Sequence, residues 1–217
     1  MMTIGLISDI HANLPALDAV LEAMSDDLDA IVCAGDIIGY SAWPAACVER
    51  VRETCDLVVQ GNHDRDVTTP ASYAHNEMAQ AGLEHAKAEL TAEQISWLSE
   101  LPPIKRAFDG QLFVVHSHPE NVDRNVDKSM FSSQRAYMDD NTQVLGVGHT
   151  HKQAAMNMAR FDSQGWVVNP GSVGQPRDGN TTAAYALVDL DGPLVQLHRT
   201  KYDIERVQEA HEARGPQ

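Results

Sequence analysis

Five short segments of the chain each lead from an apolar stretch directly to a residue type that binds metals. Apolar runs of this length bounded by glycine are typical of strands buried on both faces. In open α/β sheets, ligands bind outside the carboxyl ends of the strands. We therefore expect five strand ends to bring carboxylates, imidazoles and an amide together, which is the composition of a two-metal hydrolytic centre. The runs and the residues after them are 4–8 before Asp9 and His11, 30–34 before Asp36, 57–60 before Asn62, 112–115 before His116, and 144–147 before His149 and His151.

The spacing within two of these segments adds to the metal-site interpretation. Asp9 precedes His11 by two positions, and His149 precedes His151 by two. In extended backbone, residues two apart project to the same side, so each pair should reach one metal region. A mixed nitrogen and oxygen ligand set favours Mn, Fe, Ni, Co or Zn over Mg or Ca. A polar residue meeting solvent at a strand end explains any one of these side chains, but not the same arrangement in five segments.

The order of the motifs resembles the calcineurin-like metallophosphoesterases. Asp-x-His, Gly-Asp-x-x-Gly, Gly-Asn-His-Asp, a lone His after an apolar strand, and Gly-His-Thr-His follow one another between residues 4 and 177. Residues 35–40, 59–64 and 169–177 are similar to the small bacterial and archaeal phosphodiesterase branch of that superfamily. The resemblance implies an α/β fold, a two-sheet αββα sandwich with helices outside, and the sequence order of strands and helices agrees with it.

The resemblance also implies two divalent metal ions, and Mn is favoured over Ni, Fe, Co or Zn. Asp36 lies in a tight turn between Gly35 and Gly39 and offers two oxygens, as a bridging ligand must. Two ions about 3.5–4 Å apart produce a bound hydroxide and hold a phosphate for in-line attack, so no Ser or Cys nucleophile is required. The implied ligands are Asp9, His11, Asp36 and His151 for the first ion, and Asp36, Asn62, His116 and His149 for the second.

His63 and Asp64 are the implied catalytic residues beside the ligand Asn62. We expect Asp64 to accept a hydrogen bond from the His63 ring and so to favour the imidazolium form. His63 would then donate a proton to the leaving oxygen, a role worth about 10²–10⁴-fold in rate. The alternative is a structural histidine next to the metal site.

Two further residues are candidates for substrate binding. His118 follows the expected ligand His116 by two positions, so it either contacts substrate or competes with His116 for the metal. His116 is favoured because it directly continues the apolar run. Arg177 either binds a phosphate oxygen in a bidentate manner or forms a surface salt bridge. The polar residues 120–142 are expected to form the lip of the site, and His75, His85, His198 and His211 to have solvated or packing roles.

Composition limits the partners. A net charge of −15 argues against long nucleic acid, whose phosphates require Lys and Arg, although a small phosphoester substrate remains compatible. Residues 1–217 are expected to form one domain, and the N-terminus resembles neither a signal peptide nor a membrane span. Cys33, Cys47 and Cys55 lack C-x-x-C spacing and indicate reduced thiols in a cytoplasmic protein. A homo-oligomer is left open.

Local signals predict several elements. Asn13 and Pro15 begin a helix, and a second helix runs from Pro44 to Thr54. Residues 72–101 are expected to be helical, with a capping box of Thr91 and Gln94. The other predicted elements are a hairpin of 183–190 and 194–200 around Asp191-Gly192-Pro193, and a last helix over 203–213 with Ile204 and Val207 facing inward.

Three functions are compatible with these patterns. The leading hypothesis is a dimetal phosphodiesterase acting on small or cyclic nucleotide-like diesters. A phosphomonoesterase, including a protein phosphatase or a dinucleoside polyphosphate hydrolase, is the rival enzyme. A non-catalytic metal-binding scaffold would not require the full ligand set and His63, so an enzyme is favoured.

Overall fold

Two five-stranded mixed sheets form the centre of the molecule. A computed structural model describes residues 2–24, 27–158, 165–192 and 194–214. The first sheet has the order β10-β9-β1-β2-β3 and the second β4-β5-β6-β8-β7, as the predicted sandwich requires. The strands are β1 (Thr3–Ile7), β2 (Ala30–Cys33), β3 (Leu57–Val58), β4 (Ile104–Ala107), β5 (Leu112–Val115), β6 (Val144–Gly146), β7 (Ala154–Asn157), β8 (Trp166–Asn169), β9 (Ala183–Asp189) and β10 (Leu194–Thr200).

The two sheets pack face to face through fully buried aliphatic side chains. Ile4, Leu6 and Val32 of the first sheet belong to the same buried cluster as Leu112 and Val114 of the second. Burial of such side chains stabilises each by about 1.5–3 kcal/mol relative to exposure. The outer face of the first sheet is covered by helices, which supply the largest buried cluster.

The parallel pairs determine where the functional side chains go. β1, β2 and β3 are mutually parallel, and so are β5, β6 and β8. Their carboxyl ends therefore lie at one edge of each sheet, and the predicted ligands follow directly after five of them. The sixth strand of this kind, β8, did not appear among the strands expected from the sequence.

The helices begin where their capping residues predict. The Asn13 side chain accepts a hydrogen bond from the Ala16 N–H, and Thr91 and Gln94 form the expected reciprocal box. The helices are α1 (Leu14–Ala23), α2 (Pro44–Thr54), α3 (Asn62–Asp66), α4 (Glu77–Glu89), α5 (Ala92–Glu100), α6 (Phe131–Gln134) and α7 (Ile204–Ala213). None of the described helices has the length and apolarity of a membrane-spanning segment.

Some local expectations are wrong. The 72–101 region is interrupted, because a 3₁₀ turn ends at Tyr73 and Asn76 caps a new helix. Ile204 is exposed, since α7 attaches through Arg206 over the Trp43 ring and through Arg214 bonded to backbone carbonyls. Both hairpin strands form as expected, while Pro193 of the predicted turn lies outside the described residues.

Candidate metal centre

The end of β1 and the loop after β6 form the first group of metal-ligand side chains. The donor atoms of Asp9, His11 and His151 all lie within 4.8 Å of one another, and all three residues are buried. The His11 and His151 Nε2 atoms are 3.0 Å apart, and Asp9 Oδ1 is 3.3 Å from His151 Nε2. This is the first predicted ligand set without Asp36.

The second group joins the ends of β2, β5 and β6. The donor atoms of Asp36, His116 and His149 also lie within 4.8 Å of one another. His116 Nε2 is 3.2 Å from Asp36 Oδ2 and 3.3 Å from His149 Nδ1. The same Oδ2 atom is 3.7 Å from His11 Nε2 of the first group. One oxygen of Asp36 therefore faces both groups.

Hydrogen bonds to backbone carbonyls fix the tautomers of three histidines. His11 Nδ1 donates to the Ile38 carbonyl at 3.1 Å, His151 Nδ1 to that of Gln175 at 2.7 Å, and His116 Nδ1 to that of Ala34 at 2.7 Å. A carbonyl only accepts, so each Nδ1 carries the proton and each Nε2 presents a lone pair when the ring is neutral. Lone pairs that face each other at 3.0 Å repel, and a shared cation removes that repulsion. The donor set therefore fits a bound metal.

Asn62, the remaining residue expected in the second ligand set, has a fixed side-chain orientation. Its amide Nδ2 donates to the Tyr73 hydroxyl, which orients the side chain. Within the described residues, its buried Oδ1 has no hydrogen-bond partner. Buried carbonyl oxygens are rarely left unpaired. A buried amide oxygen of Asn62 without a partner in this part of the chain fits the expected metal ligand.

Burial and mutual charges shift the protonation of these groups. Burial lowers the pKa of His149 to about 4 and that of His151 to about 3, with help from the charges of His116 and Arg177 respectively. Burial also lowers the pKa of His116, but the Asp36 carboxylate outweighs it and raises that pKa to about 10. Burial would raise the pKa of Asp36, yet His116 and His63 hold it well below its usual range. Asp36 therefore stays ionised, and a cation must displace a proton from His116.

The ligand loops contain left-handed backbone at residues other than glycine. Asp9, His11, Asp36, His149 and His151 have φ values of 55°, 50°, 56°, 67° and 58°. Such conformations are uncommon and cluster at functional sites. The extended-strand reasoning for the i and i+2 pairs is therefore wrong in its geometry. Asp9 and His11 do share one group, but His149 and His151 divide between the two groups, as the resemblance implied.

The expected hydrogen bond between Asp64 and the His63 ring is wrong. The Asp64 carboxylate instead accepts from the backbone N–H groups of Asp36, Ile37 and Gly61 at 2.8, 2.9 and 3.0 Å, with Ile38 at 3.3 Å. Burial and the nearby Asp36 charge raise the pKa of Asp64 to about 7. Asp64 therefore shapes the turn that presents Asp36. Gly61 must be small here, because an added Cβ would lie 2.1 Å from Asp36 Oδ1.

His63 packs against aromatic rings, and one of its ring nitrogens lies within 4.8 Å of donor atoms of both His11 and Asp36. Its ring centroid is 4.9 Å from those of His11 and Tyr73 and 5.0 Å from that of Tyr40. In the described part of the chain, its buried Nδ1 has no hydrogen-bond partner. Burial lowers the pKa of His63, contrary to the expected imidazolium form. The ring is positioned by packing beside the first metal group.

The two candidate substrate residues have different surroundings. His118 accepts the Glu120 N–H on Nδ1 at 3.2 Å and packs edge-on against Tyr137. It therefore anchors its own loop, and among the described residues His116 rather than His118 belongs to the second group of convergent donor atoms. Arg177 is exposed at the rim, where its Nη2 lies 3.0 Å from the Tyr40 hydroxyl. Its other side-chain contact among the described residues is Gln175, so the alternative of a surface salt bridge is not supported.

The Asn-Pro-Gly-Ser segment, residues 169–172, forms hydrogen bonds that hold the ligand loops in place. The Asn169 amide donates to the Gly148 carbonyl at 2.7 Å, and the Ser172 hydroxyl donates to the Asp9 carbonyl at 2.7 Å.

Tyr40 and Tyr73, which flank His63, were not singled out from the sequence. The position of Tyr40 directly after Gly39 in the Asp36 turn was the one available signal.

The remaining histidines lie outside both groups. His85 Nε2 bonds to the Ala42 carbonyl at 3.1 Å, and His198 stacks on Tyr185. His75 stacks on Tyr73 in a turn, and His211 is half-buried in α7. These packing roles agree with the expectation.

Comparison with known proteins is consistent with this geometry. The calcineurin-like phosphoesterase superfamily domain matches residues 2–192 of the chain. The chain belongs to this superfamily. The predicted family and fold are confirmed, and so is the predicted reaction class, hydrolysis of phosphoesters.

Three relatives show how far the similarity extends. Protein MJ0912 of Methanocaldococcus jannaschii is 32% identical over 222 residues, covering 95% of this chain and 90% of that protein. Phosphodiesterase YfcE of Escherichia coli is 28% identical, covering 88% of this chain and 89% of that protein. The crystal structure of a metallophosphoesterase from Sphaerobacter thermophilus superposes with a TM-score of 0.82 at 32% identity, covering 100% of this chain and 95% of that one. These prokaryotic relatives agree with the predicted branch.

The Asp64→Asn substitution tests whether Asp64 shapes the Asp36 turn. An amide offers one acceptor oxygen and turns N–H donors toward backbone N–H groups, so the metal-free protein should lose about 3 kcal/mol of unfolding free energy. Asp66→Asn, which breaks a partly exposed pair with Arg65, is the matched control and should cost less than about 1 kcal/mol. If the two substitutions lower the free energy of unfolding in urea by the same amount, the hydrogen bonds from backbone N–H groups to Asp64 stabilise the protein no more than the surface pair does. That result would contradict the role of Asp64 in the Asp36 turn.

Proposed function

We propose that the protein is a dimetal phosphoesterase that hydrolyses small phosphodiesters. The observation that carries this proposal is the position of Asp36, whose Oδ2 lies 3.7 Å from His11 Nε2 and 3.2 Å from His116 Nε2. A carboxylate oxygen shared between two groups of buried imidazoles is suited to bridging two cations. The preference for diesters is supported by the similarity to phosphodiesterase YfcE over most of both chains.

The residues divide into two ligand sets that share Asp36. Asp9, His11 and His151 would hold one ion with Asp36, and Asn62, His116 and His149 the other. Two divalent ions held there would supply Lewis acidity for the phosphoryl group and an activated water as nucleophile. The mixed nitrogen and oxygen donors favour Mn, with Ni, Fe, Co or Zn as alternatives.

His63 is the proposed proton donor to the leaving oxygen. Its ring lies 4.9 Å from the ring of the ligand His11, and its Nδ1 has no partner among the described residues. Burial lowers its pKa, and the negative charge of an incoming phosphate would act in the opposite direction. Tyr40 and Tyr73, rather than Asp64, hold the His63 ring in place. Asp64 instead accepts hydrogen bonds from the turn that carries Asp36.

Arg177 is the proposed contact for a non-reacting phosphate oxygen. The guanidinium lies at the rim over the Tyr40 ring, with its carbon 5.5 Å from the ring centroid. Tyr40 in turn lies edge-on to His11, with the ring centroids 4.8 Å apart. This arrangement directs a planar cation toward the mouth of the site, where bidentate pairing with a phosphate is favourable.

Residues 1–217 are proposed to form one domain in the cytoplasm. The C-terminal strands β9 and β10 belong to the same sheet as the N-terminal β1, and both sheets contribute ligands. Cys33, Cys47 and Cys55 are free thiols, and burial raises the pKa of Cys33 well above its usual value. Unreactive free thiols are typical of a reducing compartment.

Metal removal tests the proposed activity directly. The protein stripped with a chelator should lose hydrolysis of bis(p-nitrophenyl) phosphate, and Mn should restore it as occupancy approaches two ions per chain. The diester should be hydrolysed with a higher kcat/KM than p-nitrophenyl phosphate. Full turnover with no detectable metal would contradict the proposal, whereas a preference for the monoester would identify a phosphomonoesterase.

His63→Ala and His118→Ala separate the proton donor from a loop residue. Loss of His63 should lower kcat by about 10²-fold or more at unchanged metal content. The defect should be larger for an alkyl leaving group than for p-nitrophenolate, which departs without protonation. His118→Ala is the control and should leave kcat and metal content close to wild type. Loss of metal in His63→Ala would assign that residue a structural role.

A further inference from the structure

A second cleft adjoins the metal-ligand loop on the edge of the β7 strand. It has a volume of about 490 Å³ and lies between residues 126–131 and residues 150–154. This volume is within the range of small-molecule sites. The cleft is separate from the two metal groups, and none of the predicted site residues lines it.

The walls of the cleft are cationic in a strongly acidic protein. Lys128 and Lys152, both exposed, line it from its two segments, and they are two of the five lysines in a chain with a net charge of −15. Among the described residues neither ammonium forms an ion pair, and Asp127 is the one acidic lining residue. Two lysines without an ion pair at the same cleft favour an anion there.

Thr150 connects the lining of the cleft to the metal-ligand loop along the chain. Thr150 lines the cleft and lies in the chain between His149 and His151, which belong to the two metal groups. Its hydroxyl oxygen accepts from the Asn169 amide at 3.0 Å and from the Lys152 N–H at 3.4 Å. These bonds hold Thr150 and the start of the lysine-bearing segment in fixed positions relative to the ligands.

The floor of the cleft is apolar. Phe131 and Val126 are each 1% exposed, and Ala154 is also buried. They belong to the buried cluster on the outer face of the second sheet. An apolar floor of this kind can pack against the sugar or base that links two phosphates, while the two lysines pair with the negative charge of the distal phosphate.

We propose that this cleft binds a second phosphate group of the substrate, so that the protein acts on nucleotide-like diesters carrying an additional phosphate. The proposal rests on the proposed phosphodiesterase function and names the substrate class for it. The reacting phosphate lies at the metal centre, and the distal phosphate lies between Lys128 and Lys152. The lysines contribute to binding and not to the chemical step, so their effect should be on KM.

A matched pair of substrates tests the cleft. Thymidine 5′-(p-nitrophenyl phosphate) and its 3′-phosphorylated form share the reacting bond and the leaving group. In the wild-type protein the 3′-phosphate should lower KM about tenfold at low salt. Lys128→Gln and Lys152→Gln should each raise KM for the phosphorylated substrate about threefold, with kcat and the unphosphorylated substrate unaffected. Lys105→Gln, on β4, is the control and should change neither KM.

Binding measurements separate this proposal from the function on which it rests. In calorimetry, thymidine 3′,5′-bisphosphate should bind the Mn-loaded protein more tightly than thymidine 5′-phosphate, and the double lysine variant should remove that difference. Equal KM values for the two substrates in wild type, or equal binding of the two nucleotides, would overturn the cleft assignment even if both diesters are hydrolysed. If neither diester is hydrolysed, the proposed function fails, and the calorimetric difference still decides the cleft.

Discussion

Repulsion between convergent lone pairs is the constraint on which the rest of the structure depends. Backbone carbonyls accept from the Nδ1 atoms of His11 and His151, so the Nε2 lone pairs of these two neutral rings face each other at 3.0 Å. Burial excludes the water that would otherwise separate these groups. An arrangement of this kind is stable only if cations or protons occupy the space between the donors. The metal-free protein therefore has an unfavourable electrostatic energy between these donor atoms at the edges of its two sheets, and binding of cations there would lower it.

Hydrogen bonds between the ligand-bearing loops hold the donor atoms in place against this repulsion. The Asp9 and His11 N–H groups donate to the carbonyls of Gly35 and Asp36, which hold the left-handed backbone of the first loop. Asp64 collects the N–H groups of the Asp36 turn, and Ser172 ties the C-terminal segment to Asp9. The buried aliphatic layer between the sheets fixes the strand ends from which these loops start. Apolar packing thus sets position, and backbone hydrogen bonds set the direction of each ligand.

Much of this arrangement could be predicted from residue order. Parallel strands share a carboxyl edge, so the apolar runs before His116 and His149 were enough to bring those two side chains together, whereas Asp36 reaches them through the packing of one sheet on the other. The role of Asp64 and the division of His149 from His151 could not be derived from periodicity, because both depend on left-handed turns held by distant backbone groups. The exposed Ile204 was mispredicted because helical spacing does not reveal that α7 attaches through arginines.

The central claim is that Asp36 lies between two metal ions. Anomalous diffraction at the manganese edge, from crystals grown with Mn²⁺, measures this most directly. The account predicts two peaks about 3.5–4 Å apart on either side of Asp36. One peak should be bounded by His11 and His151 and the other by His116 and His149. A single peak, or two peaks of which neither contacts Asp36, would contradict it.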